Sequence, residues 1–249
     1  MLVVENLAVS YRGVSALKGV SFTVHQGELV GLLGPNGGGK TTMLKAMLGL
    51  IPAQGGVVTL HSSPLKQQRQ KIAYVPQRSQ IDWDYPITAQ NVVMMARILQ
   101  NGWFGSPSRQ SRELVKDALQ RVGMWELRQR QIGELSGGQQ QRVFLARAIA
   151  QQAEIFLFDE PFTGIDKKTE TVIFNIFSEL KAEGKMLLVS SHQWGDTLTL
   201  YDRLLLINQQ LVATGSPQEV VTLDNIQQAY GEVENRATVR SQVETLFYC

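Results

Sequence analysis

The chain has 249 residues, of which 43% are apolar and 18% charged, so we expect a soluble globular protein with one large domain, or one domain with an added lobe. Its formal net charge is only +2, without a long run of like charges, and this gives no basic field for nucleic acid. No apolar stretch reaches the length that crosses a bilayer, and the only cysteine, Cys249, excludes an internal disulfide framework or a cysteine zinc cluster and suits a reducing cytoplasm.

The first part of the chain predicts antiparallel strands followed by a strand, a loop and a helix. Apolar and polar residues roughly alternate over Met1–Val24, which predicts short antiparallel strands. The run Leu29–Leu33 is apolar throughout, as expected of a strand that is covered on both faces. An amphipathic helix is predicted to begin near Lys40 and to end near Gly49.

The loop between this strand and helix has the spacing G-x-x-x-x-G-K-[ST]. Its glycines let the backbone wrap around phosphate groups, and the helix dipole favours negative charge there. We expect Lys40 to contact the β- and γ-phosphates and Thr41 to bind Mg²⁺. The alternative is a Gly-rich turn that only joins two elements, but such a turn needs no Lys-Thr pair. The predicted nucleotide contacts are Gly34, Pro35, Asn36, Gly37, Gly38, Gly39, Lys40, Thr41 and Thr42.

The middle of the chain predicts a helical lobe inserted into an α/β pattern. The predicted elements are strands Val57–Leu60 and Ile72–Val75, a helix capped by Thr88 and reaching Leu99, a loop over Gly102–Pro107, and helix Ser108–Val122. Because no strand separates these two helices, they favour a lobe of their own.

A loop with aromatic and acidic residues, Ile81–Pro86, lies between the second of these strands and the helices. Aromatic residues that have no periodic place in a core are typical of contact surfaces. Trp83 and Tyr85 are therefore predicted to border a partly exposed groove that receives a partner helix, and the alternative is local packing of both rings.

The last part of the chain places acidic residues at a strand end. The buried strand Ile155–Phe158 is followed by Asp159 and Glu160, at the carboxyl end where open α/β sheets hold ligands. Alone, such a pair could equally be a solvated strand end, and His192, after strand Met186–Val189, could be an ordinary surface or core histidine. Other predicted elements are the helix that Leu135–Gln139 opens and that reaches about Ala150, helix Lys167–Glu183, paired strands Leu204–Ile207 and Leu211–Thr214, and a helix capped by Ser216.

The order of these motifs resembles that of the ATP-binding cassette (ABC) ATPases, from Leu2 to about Leu223. The signature Leu135–Gln139 is the most specific part, because phosphate loops occur in many NTPase families. The resemblance implies an α/β fold: a P-loop NTPase (RecA-like) core with an N-terminal antiparallel β subdomain and an inserted α-helical subdomain. It places the core and β subdomain at about 1–87 and 152–230 and the helical subdomain at about 88–151, and it leaves 231–249 unassigned.

The resemblance also implies a role for each motif residue. Tyr11 would stack on adenine, although from the sequence alone it could be a tyrosine at the rim of the sheet. Gln77 would sense Mg²⁺ and the attacking water, Asp159 would bind Mg²⁺ largely through water, Glu160 would be the general base and His192 would contact the γ-phosphate. The signature residues that would complete the ATP site of the other subunit in a homodimer are Ser136, Gly137, Gly138 and Gln139.

Within that family the chain resembles the ATPase subunits of manganese, zinc and iron importers. The segments that carry this narrower resemblance are Tyr74–Gln77, Asp82–Pro86, Gly133–Gln139 and Pro161–Asp166. It implies ATP hydrolysis coupled to import of a divalent transition metal, manganese first and zinc or iron next, with only Mg²⁺ bound to this chain itself. The expected partners are a second copy with ATP at the interface, integral membrane permease subunits docking near Ser79–Pro86, and indirectly an extracytoplasmic metal-binding protein, but no nucleic acid.

The expected location is the cytoplasmic face of the cell membrane, where the permease would hold the chain. One alternative is an ABC ATPase for another substrate, such as iron chelate or cobalamin. Another is a soluble ABC ATPase of translation or DNA repair, but such proteins typically have two cassettes in one chain, a long coiled-coil insertion or basic segments, which this sequence lacks. A P-loop switch or kinase would have no use for the signature.

Overall fold

The computed structural model describes residues 1–101, 106–192 and 194–231. Most of the predicted loop Gly102–Pro107 therefore lies outside the described residues, as does nearly all of the unassigned segment 231–249. The chain divides into two compact units: the first contains Met1–Arg69 and the described residues after Lys185, and the second contains the described residues of Gln70–Lys185. The subdomain bounds given by the resemblance stay a prediction.

Strands and helices follow one another along the chain in much the predicted order. The strands are β1 (Leu2–Tyr11), β2 (Val14–Val24), β3 (Leu29–Leu33), β4 (Gly55–Leu60), β5 (Ser63–Pro64), β6 (Ile72–Val75), β7 (Ile155–Asp159), β8 (Met186–Ser191), β9 (Arg203–Asn208) and β10 (Gln210–Gly215). The helices are α1 (Lys40–Met47), α2 (Ala89–Met94), α3 (Ile98–Asn101), α4 (Arg109–Arg121), α5 (Gly137–Ala150), α6 (Lys167–Ala182), α7 (Pro217–Val220) and α8 (Leu223–Tyr230).

The first unit contains the predicted antiparallel sheet, in the order β2-β1-β4-β5. β1 and β2 form a hairpin whose turn residues, Arg12 and Gly13, both have positive φ, 48° and 84°. Positive φ at both positions matches the twist of the flanking strands. Gly19 lies at an irregularity within β2, where the register with β1 shifts, and β2 continues beyond it to Val24.

The first unit also contains four strands in the order β10-β9-β3-β8. β3 is parallel to both β8 and β9, and all five of its residues are buried, as its apolar run predicts. Leu33 lies opposite Ser191 of β8 and Leu206 of β9. The segments that follow these three strands therefore begin at the same edge of the sheet.

The second unit pairs β6 with β7 in parallel, with Val75 opposite Phe158. The helices α2, α4 and α5 pack against one another and form the predicted helical lobe. The first of them is shorter than predicted: Thr88 caps α2, but a 3₁₀ turn over Met95–Arg97 separates α2 from α3. Stacked and tilted aromatic rings pack α6 against β7, and they belong to Phe158, Phe162, Phe174 and Phe177.

One helix, α8, was not predicted. Thr222 caps it by accepting a hydrogen bond from the backbone N–H of Asn225. The spacing of Ile226 and Ala229, both buried, was the available signal. Among the described residues, no helix is both long enough and apolar enough to cross a membrane.

Candidate nucleotide-binding and hydrolysis site

The phosphate loop begins at Gly34, directly after buried β3. Gly34 has a φ of 154°, and a Cβ at this position would lie 2.0 Å from the carbonyl oxygen of Ile207, so no other residue fits. At the other end, Gly39 has a φ of 97°, and a Cβ there would lie 2.6 Å from Leu17 and 2.8 Å from the carbonyl oxygen of Ala16. Both glycines are needed for the path of the loop, which disfavours an ordinary connecting turn.

Lys40 is the first residue of α1 and only 5% exposed. Its ammonium group donates hydrogen bonds to the carbonyl oxygens of Gly34 at 2.7 Å and Pro35 at 3.0 Å, so the charge lies inside the loop. The backbone N–H of Gly38 also donates to Pro35, at 3.0 Å, and curls the chain around this charge. A lysine enclosed by a loop at a helix N-terminus is an arrangement suited to phosphate.

The turn between β9 and β10 supports the loop from outside. The backbone N–H of Gln209 donates to the carbonyl oxygen of Gly38 at 2.9 Å, and the carbonyl oxygen of Gln209 accepts from Lys18 of β2 at 2.7 Å. Gln209 has a φ of 59°, which is uncommon for a residue other than glycine. Sequence reasoning missed this support because both bonds use backbone atoms.

The other predicted site residues of the first unit are Tyr11 and His192. Tyr11 ends β1 and is half exposed, on the same hairpin whose Ala16 and Leu17 contact the phosphate loop. His192 follows β8, and the parallel register of β3 and β8 places it at the sheet edge where Gly34 begins the loop. The register thus places His192 and the start of the phosphate loop at one edge of the sheet, and the contact of His192 with the γ-phosphate stays a prediction.

The unpredicted helix α8 brings Tyr230 to the same sheet edge. The ring of Tyr230 packs edge-on against Trp194, at 5.5 Å between centroids, and Asn208 donates a hydrogen bond to the carbonyl oxygen of Ala229 at 2.9 Å. Burial raises the pKa of Tyr230 to about 12, although the nearby indole of Trp194 and the backbone N–H of Gly34 act in the opposite direction. The phenol therefore stays neutral.

In the second unit, the parallel strands β6 and β7 bring Gln77 and Glu160 together. The side-chain amide of Gln77 donates to Glu160 Oε2 at 3.0 Å, and the hydroxyl of Thr163 donates to the same oxygen at 3.3 Å. Glu160 has a φ of 50°, which costs on the order of 1 kcal/mol for a residue with a side chain. A residue that has a strained backbone and whose carboxylate accepts two hydrogen bonds is typical of a functional site rather than of a solvated strand end.

The neighbouring carboxylate, Asp159, is buried, with 1% of its surface exposed. The hydroxyl of Tyr74 on β6 lies 3.4 Å from Asp159 Oδ2 and donates to it. Burial, and then the charge of Asp159, raise the pKa of Tyr74 well above its usual value, so the phenol keeps its proton. Sequence reasoning missed Tyr74, although the parallel register of β6 and β7 places it opposite Leu157 near the strand end.

The carboxylate of Asp159 suits Mg²⁺, which protein sites hold through one or two carboxylates together with phosphate oxygens and water. Among the described residues there is no group of three or more His, Cys, Asp or Glu side chains that could hold a metal ion by themselves.

The predicted signature begins helix α5. Ser136 is its N-cap and accepts from the backbone N–H of Gln139 at 3.4 Å, while the side chain of Gln139 accepts from the backbone N–H of Ser136 at 2.9 Å. This reciprocal capping box explains the Ser and the Gln of the motif locally. Gly138 is buried, and a Cβ there would lie 2.7 Å from the hydroxyl of Thr169. Gly137, the first helical residue, is half-buried.

The two aromatic residues of the predicted docking loop differ. The indole of Trp83 donates to the carbonyl oxygen of Arg78 at 2.9 Å, and its ring packs edge-on against Phe144 of α5 at 5.2 Å. Tyr85 is 60% exposed. Local packing therefore accounts for Trp83, whereas Tyr85 lies on the surface.

Comparisons with known proteins place these features in a family. The family model described as ABC transporter matches residues 17–163. The manganese transport system ATP-binding protein MntB of Halalkalibacterium halodurans is 44% identical over 227 residues, which cover 91% of this chain and 90% of that protein. The zinc transport system ATP-binding protein TroB of Treponema pallidum is 42% identical, covering 92% and 86%. The chelated iron transport system membrane protein YfeB of Yersinia pestis is 42% identical, covering 93% and 79%.

Solved structures share the fold. The ADP conformation of MJ1267, an ATP-binding cassette of an ABC transporter, superposes with a TM-score of 0.80 at 26% identity and covers 93% of this chain and 99% of that chain. The dimeric structure of MJ0796, a bacterial ABC transporter cassette, has a TM-score of 0.75 at 28% identity, covering 87% and 99%. The predicted α/β P-loop fold is thereby confirmed. Because relatives match over nine-tenths of its length and the fold is shared, the chain belongs to the ABC transporter family, as an ATP-binding subunit that hydrolyses ATP.

Proposed function

We propose that this chain acts as a homodimer that binds ATP and Mg²⁺ and hydrolyses ATP to drive the import of a divalent transition metal. The single observation that carries the hydrolytic role is the Gln77–Glu160 pair, in which a strained glutamate is held by an amide at the end of a buried strand. Phosphoryl transfer to water needs positioning and charge neutralisation more than covalent chemistry, and a held carboxylate can orient a water and accept its proton.

The other predicted site residues bind the nucleotide or complete the site of the second copy. The loop from Gly34 to Thr42, with Lys40 at its centre, holds the phosphates, and Tyr11 stacks on the adenine. His192 contacts the γ-phosphate, while Ser136–Gln139 complete the site of the second copy, where the helix dipole favours the phosphate.

The proposal assigns Mg²⁺ to the hydroxyl of Thr41, the side chain of Gln77 and the carboxylate of Asp159. When bound, the ion neutralises charge on the β- and γ-phosphates. This assignment is supported by the neutral phenol of Tyr74, which donates a hydrogen bond to the carboxylate of Asp159.

The proposed cargo is manganese first and zinc or iron next. The support is the naming of the relatives, which are a manganese, a zinc and a chelated iron transport protein. The cargo passes through separate membrane permease subunits, after delivery by an extracytoplasmic metal-binding protein, and the permease holds this chain at the cytoplasmic face. Chelated iron is the second candidate, because YfeB carries that name.

Uptake of radiolabelled manganese, zinc and iron tests the proposal in cells that lack the gene for this chain. Parental protein should restore uptake of one metal, and Glu160→Gln should not, because loss of the general base cuts turnover by roughly 10²–10⁴ while ATP still binds. Glu126→Gln, an exposed position in the same unit, is the matched control and should behave as parental. Parental hydrolysis by Glu160→Gln would show that the base is another residue, and an active ATPase that restores uptake of no metal would refute the cargo.

A further inference from the structure

Arg78, the residue after Gln77, reaches the beginning of α5. Its Nε and Nη2 atoms both donate hydrogen bonds to Gln140 Oε1, at 3.2 and 2.9 Å. Gln140 is only 3% exposed, and its own amide nitrogen donates to the carbonyl oxygen of Ile132 at 3.1 Å. Arginine therefore holds an amide that is itself fixed in the interior of the second unit.

The guanidinium group also lies beside the first helical residue of α5. A Cβ added to Gly137 would lie 3.3 Å from the central carbon of the Arg78 guanidinium. A cation at this end of a helix is unfavourable for the helix itself, because the N-terminus already carries partial positive charge. Helix stability alone thus does not explain why an arginine occupies this position.

Arg78 is held from its other side by Trp83. The indole N–H donates to the carbonyl oxygen of Arg78 at 2.9 Å, and the guanidinium lies 5.6 Å from the centre of the indole ring. The same ring packs against Phe144 of α5. The backbone and the side chain of Arg78 are consequently both tied to one helix, while the preceding residue, Gln77, is tied to Glu160.

We propose that Arg78 is a positioning residue that links Gln77 to the N-terminus of α5. It fixes the orientation in which Ser136–Gly138 meet the ATP of the second copy, so that engagement of Gln77 with nucleotide is transmitted to the signature. This inference rests on the proposed function. The contacts on which this role rests lie within the second unit, whereas the phosphate loop belongs to the first, so we expect ATP binding to a single chain not to depend on Arg78.

The test measures ATP-dependent dimer formation, by sedimentation over a range of protein concentrations, in the Glu160→Gln background, where slow turnover preserves bound ATP. Arg78→Met keeps much of the apolar stem but loses the donors. It should raise the dimer dissociation constant about tenfold, as expected for the loss of hydrogen bonds from a charged donor. The affinity of the single chain for a fluorescent ATP analogue should stay unchanged.

Three further variants separate positioning from other effects. Arg78→Lys keeps the charge but cannot form the two-pronged contact, so it should not restore the dimer. Gln140→Leu should raise the dimer dissociation constant by a similar factor. The double variant Arg78→Met with Gln140→Leu should have a dissociation constant no higher than that of the more affected single variant. Arg121→Met is the matched control, because Arg121 is in the same unit and pairs with Glu179 and Glu183. This control should leave the dimer constant unchanged.

Parental dimer formation by Arg78→Met would overturn the inference, as would full rescue by Arg78→Lys, which would show that only the positive charge matters. Additive effects of Arg78→Met and Gln140→Leu would also overturn it, because the two side chains would then act separately. If the Glu160→Gln protein itself forms no dimer with ATP, the proposed function fails, and that result is distinguishable from failure of the Arg78 variants alone.

Discussion

Tyr74 shows how a single hydroxyl can support the proposed Mg²⁺ site. It donates to Asp159, and its raised pKa keeps it protonated at neutral pH. Tyr74→Phe removes only this oxygen, so the buried carboxylate loses a partner that orients it. We expect the Mg²⁺ concentration required for tight ATP binding to rise roughly tenfold, as is typical when a group that orients a metal ligand is lost. Titration of a fluorescent ATP analogue at increasing Mg²⁺ measures this directly.

Tyr85→Phe, which removes the hydroxyl of an exposed tyrosine, is the control for Tyr74→Phe and should leave the Mg²⁺ dependence of ATP binding unchanged. ATP binding without Mg²⁺ should be the same in both variants. An unchanged Mg²⁺ requirement in Tyr74→Phe would mean that Asp159 is oriented without this bond.

The residues proposed to carry the chemistry were named from the sequence, whereas the residues that support them were not. Gln77 and Glu160 each follow an apolar strand, and the family resemblance assigned both to one site. The support given by Tyr74 depends on the register of two strands that are far apart in the chain. The support given by Gln209 uses backbone atoms, which any residue type could supply.

At the scale of elements, helices α4 and α5 begin in the same way and so provide a matched pair. Ser108 caps α4 by accepting from Ser111, and Ser136 caps α5 by accepting from Gln139. Replacing either serine with alanine should cost about 1 kcal/mol. The melting temperature should fall by about 2–4 °C in each case. Only Ser136→Ala should also reduce ATP turnover, by about tenfold or more, because its hydroxyl is proposed to meet the phosphate of the second copy.

Thermal unfolding and steady-state ATPase assays on both variants give the comparison. Equal melting temperatures with unequal turnover support a role for Ser136 beyond its cap. If the two variants hydrolyse ATP equally well, the hydroxyl of Ser136 serves the helix alone.

The boundaries of helices were harder to predict than their existence, and α2 shows the physical reason. The periodic pattern predicts one helix to Leu99, but α2 ends at Met94 and a 3₁₀ turn follows. Arg97 in that turn is buried and donates to the carbonyl oxygen of Ala150, at the end of α5, at 3.3 Å. An arginine that caps a distant helix is a tertiary contact, which local periodicity does not contain.

At the scale of the whole molecule, the proposed function requires an exposed surface for the permease. The loop Ser79–Pro86 was predicted for this role. Of its two aromatic side chains, Trp83 and Tyr85, one packs inside the unit and the other lies on the surface. Trp83 is packed within its own unit, whereas Tyr85 is exposed, as are Asp82 and the adjacent Asp84. Trp83 also donates a hydrogen bond to Arg78, which is proposed to link Gln77 to the signature. A partner helix docked on this loop would therefore be separated from that link by Trp83 alone.

Tyr85→Ala should separate docking from catalysis. The ATPase activity and ATP-dependent dimer formation of the isolated chain should stay parental, because the ring is exposed and packs no core. Copurification with the permease and metal uptake should fall about tenfold or more, since exposed tyrosines are frequent anchors of interfaces. Tyr85→Phe keeps the ring and should retain most uptake, whereas Trp83→Ala should lower the melting temperature of the isolated chain itself. Normal uptake by Tyr85→Ala would place the docking surface elsewhere, and loss of its intrinsic ATPase would show that Tyr85 serves the fold of the chain instead.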